Sequence, residues 1–356
     1  MDKYAVYSGK GLQLDVLRLG KPQPGSSEKH FIFRPRRTAR KNRAAAVMMV
    51  MLLIAVIGLM IAQFDYDLKK YRHNQAANLV FPATLDSRIT GEEWQSPVDV
   101  AIVDSDAYAV DPKTNNLYSV DFANNRVKKL VLPNKLSSPT AIDIYKSTLF
   151  TADSGAGHIT AIADGEVENI AVPAASAPAR PVGVHVTDNG DLLVTDANNN
   201  RVLQLSLDGS LLHTVGTGKR DNSNYGFNIP GGITTDRHGN IYVVDTRNAR
   251  VQKFSPSWRY IATFGKSGDA TGTLTRPNSV AVDDSGNVYI SDESRAIVSV
   301  FSPNGKYQGC IGRKKPDDKN SKSLFRAVAG IRVIDAQLYV VDRLKGVFVF
   351  RLPDKG

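Results

Sequence analysis

Residues 230–245 read Pro-Gly-Gly-Ile-Thr-Thr-Asp-Arg-His-Gly-Asn-Ile-Tyr-Val-Val-Asp. A short β-branched run, a Gly-Asn turn and a second apolar run ending on Asp245 spell a hairpin of two short strands. The same order returns without gaps from Pro181 to Asp196 and from Pro277 to Asp292. Past Asp245, Ala249-Arg250-Val251 opens a third strand ending near Phe254, and residues 260–264 supply a fourth. Asn200-Arg201-Val202 repeats the third-strand start one unit earlier, and residues 307–311 repeat the fourth strand one unit later. Four short strands returning at intervals of about 45 residues form the pattern of a propeller blade.

Looser copies extend the count on both sides. Residues 97–111 and 139–153 each have one residue fewer, and 330–333 with 338–342 repeat the first two strands again. The aspartates that end the second strands are Asp111, Asp153, Asp196, Asp245, Asp292 and Asp342, spaced by 42, 43, 49, 47 and 50 residues. That makes six blades. Asp121 sits in a better local match than Asp111, but it would leave 32 residues to Asp153 and no room for a fourth strand. Asp111 is therefore the marker, with 117–120 and 126–132 as strands three and four. The last blade supplies three strands, at 330–333, 338–342 and 346–350, before the chain ends. A propeller closes by pairing both chain termini, which removes exposed edges. Residues 78–81, Asn-Leu-Val-Phe, are the expected donor.

Ahead of the repeats, Ala44 through Ala62 carries no charge and no strongly polar side chain over nineteen residues. As a helix rising about 1.5 Å per residue it would match a hydrocarbon core of about 30 Å. Arg34, Arg36, Arg37, Arg40, Lys41 and Arg43 stand immediately before it. The positive-inside rule puts that side in the cytoplasm and exports everything after it. With 43 residues ahead of the run and no small-x-small end, the segment reads as a signal anchor and not a cleaved leader. The sequence thus predicts a basic cytoplasmic tail (1–43), a transmembrane α-helix (44–62), a helical stalk (63–78) and an all-β six-bladed β-propeller (79–352). The location would be the cytoplasmic (inner) membrane, single-pass, with the propeller outside and the lipid bilayer met through Ala44 to Ala62.

Charge supports this division. The formal net charge of +10 suggests nucleic acid until it is split along the chain: residues 1–43 hold eleven Lys/Arg against three Asp/Glu. The excess is a tail beside lipid headgroups, not a basic groove on a folded domain, so no nucleic-acid partner is indicated. With Cys310 as the lone cysteine, an internal disulfide and a Cys-based metal cluster are both excluded.

The run Pro-x-Gly-(Ile/Val)-x-x-Asp-x-x-Gly-Asn-(Ile/Val)-Tyr-Val-x-Asp-x-x-Asn-x-Arg resembles the NHL repeat. Residues 230–251 match it almost throughout, including Asn248 and Arg250; 181–202 match well, and 277–292 over their first half. The resemblance implies a six-bladed propeller. It leaves activity open, because relatives include protein- and RNA-binding modules, sensor domains, an amidating lyase, and related lactonases and antibiotic-ring lyases.

Site candidates follow from the repeat. Asp196, Asp245 and Asp292 recur around one concave face, and each can either present a carboxylate there or accept N–H bonds from its own loop and pair with the following arginine. Arg201, Arg250 and the displaced Arg295 read as inter-blade braces that a ligand on that face would meet. Rigid scaffolds concentrate binding residues in their loops. Residues 216–228, with Tyr225 and Phe227, and 265–276 are such loops; 312–327 is a third and strongly charged one. His158 and His213 fall in turns or outer strands, and His185 stands alone on an inner strand. No Ser-His-Asp or Cys-His set, metal-ligand set or cofactor motif is legible. The expected function is a membrane-anchored, extracytoplasmic, non-enzymatic propeller that scaffolds a protein partner, senses, or serves an envelope complex. The alternative is a propeller lyase or lactonase with a divalent metal at the channel mouth.

Overall fold

A computed structural model describes residues 81–353 except 82, 92, 104–105 and 314–321, plus eight positions between 48 and 63, all of them helical. The basic tail, most of 44–62, the stalk beyond residue 63 and residues 78–80 lie outside the described residues. Among the described residues no helix is long and apolar enough to cross a membrane.

The first strand, β1 (Thr84–Ile89), precedes the blades. Blade one is β2 (Asp99–Val103), β3 (Asp106–Asp111), β4 (Asn116–Asp121) and β5 (Arg126–Lys129). Blade two is β6 (Pro139–Tyr145), β7 (Thr148–Asp153), β8 (His158–Ala163) and β9 (Glu166–Ala171). Blade three is β10 (Pro181–Val186), β11 (Leu192–Asp196), β12 (Arg201–Leu205) and β13 (Leu211–Val215). Blade four is β14 (Pro230–Thr235), β15 (Ile241–Asp245), β16 (Arg250–Phe254) and β17 (Tyr260–Phe264). Blade five is β18 (Pro277–Val282), β19 (Val288–Asp292), β20 (Ile297–Phe301) and β21 (Tyr307–Ile311). Blade six is β22 (Val328–Ile334), β23 (Gln337–Asp342) and β24 (Gly346–Arg351), completed by β1.

Each blade is an antiparallel four-stranded sheet. The first strands neighbour one another in a closed ring, β2 to β6, β10, β14, β18, β22 and back to β2, so they surround the axis. Second strands such as β11, β15 and β19 are buried along their whole length, whereas outer β13 exposes four of its five residues. A strand covered on both faces carries a continuous apolar run, which is why Leu-Leu-Val and Ile-Tyr-Val-Val do not alternate with polar residues. The core is divided into six clusters, one per seam between blades. One of them packs Phe150 of blade two on Leu192 and Leu203 of blade three, and another packs Val347 of blade six on Val100 and Tyr118 of blade one.

The blade register set by Asp111 holds, with β3 ending on it and β4 and β5 following. The closing strand differs from the expectation. It is β1, whose Thr84 pairs with Arg351 and Ile89 with Val347. Phe81, placed in the closing strand by sequence, serves the neighbouring blade: its N–H donates to Cys310 O at 3.0 Å and its ring meets Tyr289 edge-on at 5.8 Å. In Thr-Leu-Asp-Ser-Arg-Ile only Ile89 is buried, so β1 carries no apolar signature. Its backbone passes against Gly346 at φ +93°, where a Cβ would collide with Ile89 O.

Candidate functional site

The blade-end aspartates are all buried and all engaged. Asp196 Oδ1 accepts Arg180 N at 3.0 Å, and its Oδ2 accepts Asn199 Nδ2 at 2.7 Å and Arg201 Nε at 3.1 Å. Asp245 repeats this with Asn228 N at 2.8 Å, Asn248 Nδ2 at 2.8 Å and Arg250 Nε at 2.9 Å. Asp292 accepts Thr275 N at 2.7 Å and Arg276 N and Arg295 N at 3.2 Å. Each carboxylate clips the connection entering its blade to the turn leaving the second strand. Burial pushes the Asp245 carboxyl up, and the bonds from Asn228, Asn248 and Arg250 recover only part of that.

The other sequence-selected residues take supporting positions. Arg201 braces Pro173 O, and Arg250 donates to Ser223 O at 2.7 Å and Gly226 O at 3.1 Å. Arg295 does not pair its guanidinium with Asp292; it donates to Thr273 O at 2.6 Å and Ala270 O at 3.2 Å. All three arginines hold the 173, 223–226 and 270–273 loop segments. Phe227 is fully buried between blades three and four, while Tyr225 remains 41% exposed, its hydroxyl accepting Tyr260 N at 2.9 Å.

Sequence reasoning missed a polar network on the innermost strands. His185 of β10 places Nδ1 2.7 Å from Asp143 Oδ2 on β6, and Nε2 2.8 Å from Thr235 Oγ1 on β14. A carboxylate only accepts, so Nδ1 carries a proton toward Asp143, while Thr235 Oγ1 can donate to or accept from Nε2. Burial pushes the Asp143 carboxyl up, but His185 and then Arg332 outweigh it and hold the group below the usual range. Arg332 of β22 donates to Asp99 Oδ2 at 2.8 Å and to Ile142 O at 2.7 Å, joining blades six, one and two. Asp99 is raised by burial, which Arg332 only partly offsets, and its Oδ1 is buried without a partner. The signal was present in sequence: single charges in Pro-Thr-Ala-Ile-Asp143, Pro-Val-Gly-Val-His185 and Gly-Ile-Arg332, on strands otherwise apolar or small. A carboxylate–imidazole–hydroxyl relay is the arrangement of general-base chemistry.

A second feature lies where the connections enter the first strands. Residues just past the blade-end aspartates donate to those connections: Ser154 N to Ser138 O, Ala197 N to Arg180 O, Arg247 N to Asn228 O, Glu293 N to Arg276 O and Arg343 N to Ala327 O. These paired positions rim one end of the axis. On blades three to six they bear Arg180, Arg247, Arg276 and Arg343; on blades one and two they bear Ser138, Ser154 and, at the equivalent places, Ser96 and Pro112. Glu293 is the acid in this rim. Its Oε2 lies 3.3 Å from Arg276 Nε and its Oε1 3.2 Å from Arg343 Nη1. On the opposite face, a cleft of about 170 Å³ between blades four and five is lined by Asp236, His238, Tyr242, Lys253 and Asp283. Asp236 there is spent on its own turn and on Tyr242 Oη at 3.0 Å.

Among the described residues no three His, Cys, Asp or Glu side chains are placed to hold a metal ion. The carboxylates nearest the mouth are closed by backbone and side-chain N–H donors, so the residues present do not fit a divalent ion there.

Comparison with known proteins agrees with this architecture. The family model described as SMP-30/Gluconolactonase/LRE-like region matches residues 99–313. A 77-residue stretch is 35% identical to human (Homo sapiens) NHL repeat-containing protein 3, and the chain spans about a fifth of that relative's length: 21% of this chain and 22% of the relative. A catalytically inactive virginiamycin B lyase from Staphylococcus aureus, solved with quinupristin, superposes with a TM-score of 0.56 at 15% identity over 76% of this chain and all (100%) of that one. A gluconolactonase from Xanthomonas campestris superposes with a TM-score of 0.58 at 16% identity over 76% of this chain and 98% of that one. At these identities the solved structures share the fold.

Proposed function

We infer that this chain, which belongs to the SMP-30/Gluconolactonase/LRE-like family, acts as a binding propeller that presents its axial mouth to a partner. The observation that carries this reading is the polarised rim: arginines over blades three to six, serines and proline over blades one and two. A rigid ring with an accessible charge pattern at one end recognises a partner without chemistry of its own, and complementary charge sets encounter rate and orientation. The apolar run at 44–62 and the arginines before it support membrane anchoring with the propeller outside the cytoplasm. Site-specific photocrosslinking in cells tests the reading. A crosslinker at Arg180 or Arg247 is expected to give a discrete adduct that one at Leu212, on outer strand β13, does not. Equal labelling from the outer strand would sink the mouth as the binding face.

One observation favours a second reading. The Asp143–His185–Thr235 relay supports metal-free general-base hydrolysis of a small ester or lactone at the axis. Turnover of a lactone panel by the full chain, abolished in His185→Ala with the melting curve preserved, would establish it. No turnover across the panel would leave the relay as a brace between blades two, three and four.

A further inference from the structure

Resting on the binding reading, we propose that Arg276 and Arg343 form a carboxylate-recognition site for an acidic peptide segment, kept occupied in the free protein by Glu293. Two observations carry it. First, Glu293 bridges arginines of two different blades, accepting from Arg343 Nη1 at 3.2 Å and lying 3.3 Å from Arg276 Nε as an ion pair. That is long for charge-assisted bonds, which run about 2.7–2.9 Å, and it engages one donor of a guanidinium fork built to offer two. A ligand carboxylate arriving from solvent can take the two terminal Nη groups of a guanidinium end-on. Second, the arginines are reachable, with side chains 58% and 33% exposed, while Glu293 is 20% exposed and tucked between them.

The arc of charge selects the class of ligand. Six blades set neighbours about 60° apart around the axis. Arg180, Arg247, Arg276 and Arg343 therefore spread over half the rim, more than one small acid can touch. A chain bearing several carboxylates at intervals fits that arc. Glu293 then acts as an internal competitor: the ligand displaces it, and its removal frees both arginines.

Binding of a fluorescent deca-glutamate peptide to the full chain, read by anisotropy at low and physiological salt, tests the proposal. Glu293→Gln is expected to tighten binding by about threefold to tenfold, and Arg343→Ala or Arg276→Ala to weaken it by about as much, with salt suppressing both effects. Arg343→Lys keeps the charge without the fork and is expected to lie between Ala and wild type, which guards against misreading a variant that merely unfolds. Unchanged or weaker binding in Glu293→Gln, with a wild-type melting curve, overturns the site. Citrate matching the peptide in affinity, or an oligonucleotide of equal charge exceeding it, overturns the assignment to an acidic peptide. These outcomes are separate from the binding reading, which stands or falls on whether the mouth crosslinks a partner in cells.

Discussion

At the scale of single residues, the blade-end aspartates and the axial relay make opposite demands on their carboxylates. Asp245 is a fully buried acceptor for three N–H donors. Asp245→Asn turns one acceptor oxygen into a donor facing Arg250 or Asn248, so denaturant unfolding should report a loss of about 2–3 kcal/mol. The same change at an exposed aspartate such as Asp208 should be nearly silent. Asp143 carries a pH signature. Its carboxyl is held low in the fold by His185 and Arg332 against burial, so its contribution is present above the unfolded value of about 3.9 and is lost as pH falls through the folded one. Asp143→Asn should therefore destabilise at pH 7 and show a smaller further loss than wild type between pH 7 and pH 3. Asp99, raised by its own burial and in smaller part by the Asp143 charge, titrates in the opposite sense beside Arg332, and Asp143→Asn removes that smaller push. The aspartates were legible in sequence because the repeat prints them at one position. The relay was not, because His185 meets Asp143 and Thr235 only when three first strands, 42 and 50 residues apart, are wound onto one axis.

Elements were legible where the repeat was strong and hidden where closure alone defines them. The hairpins at Pro181, Pro230 and Pro277 form as their turns and apolar runs dictate. Strand β1 carries no such run. It is a strand because β24 has an unfilled edge, and its one inward side chain, Ile89, seals the seam between blades six and one. Truncating the chain to begin at residue 92 should therefore lower the melting temperature sharply or drive aggregation through β24, while a start at residue 76 should not. Gly346→Ala should reproduce part of that loss, about 2–4 kcal/mol by chemical denaturation, because its Cβ occupies the path of the Ile89 carbonyl. A start at residue 92 that melts like the longer chain would show that β1 contributes nothing to closure.

For the molecule as a whole, six seams of similar size predict one cooperative transition in which no blade unfolds alone. Since the mouth carboxylates are consumed by N–H donors, EDTA should leave that transition unmoved and elemental analysis should find less than a stoichiometric divalent ion. A tightly bound equivalent would return the lyase or lactonase alternative. The blade count and their order were readable from six spaced aspartates; the polarity of the rim was not, because Arg276 and Arg343 belong to different repeats and meet only across a seam. Closure has one more consequence, in time. Asp86 and Arg351 are bonded across 265 residues. At synthesis rates of about 5–20 residues per second, the first strand made waits about 13–50 s for its partner. Only a segment with nothing to gain from premature company survives such a wait, and Thr-Leu-Asp-Ser-Arg-Ile, polar or charged at four of its six positions and apolar at Leu85 and Ile89, is built to be patient.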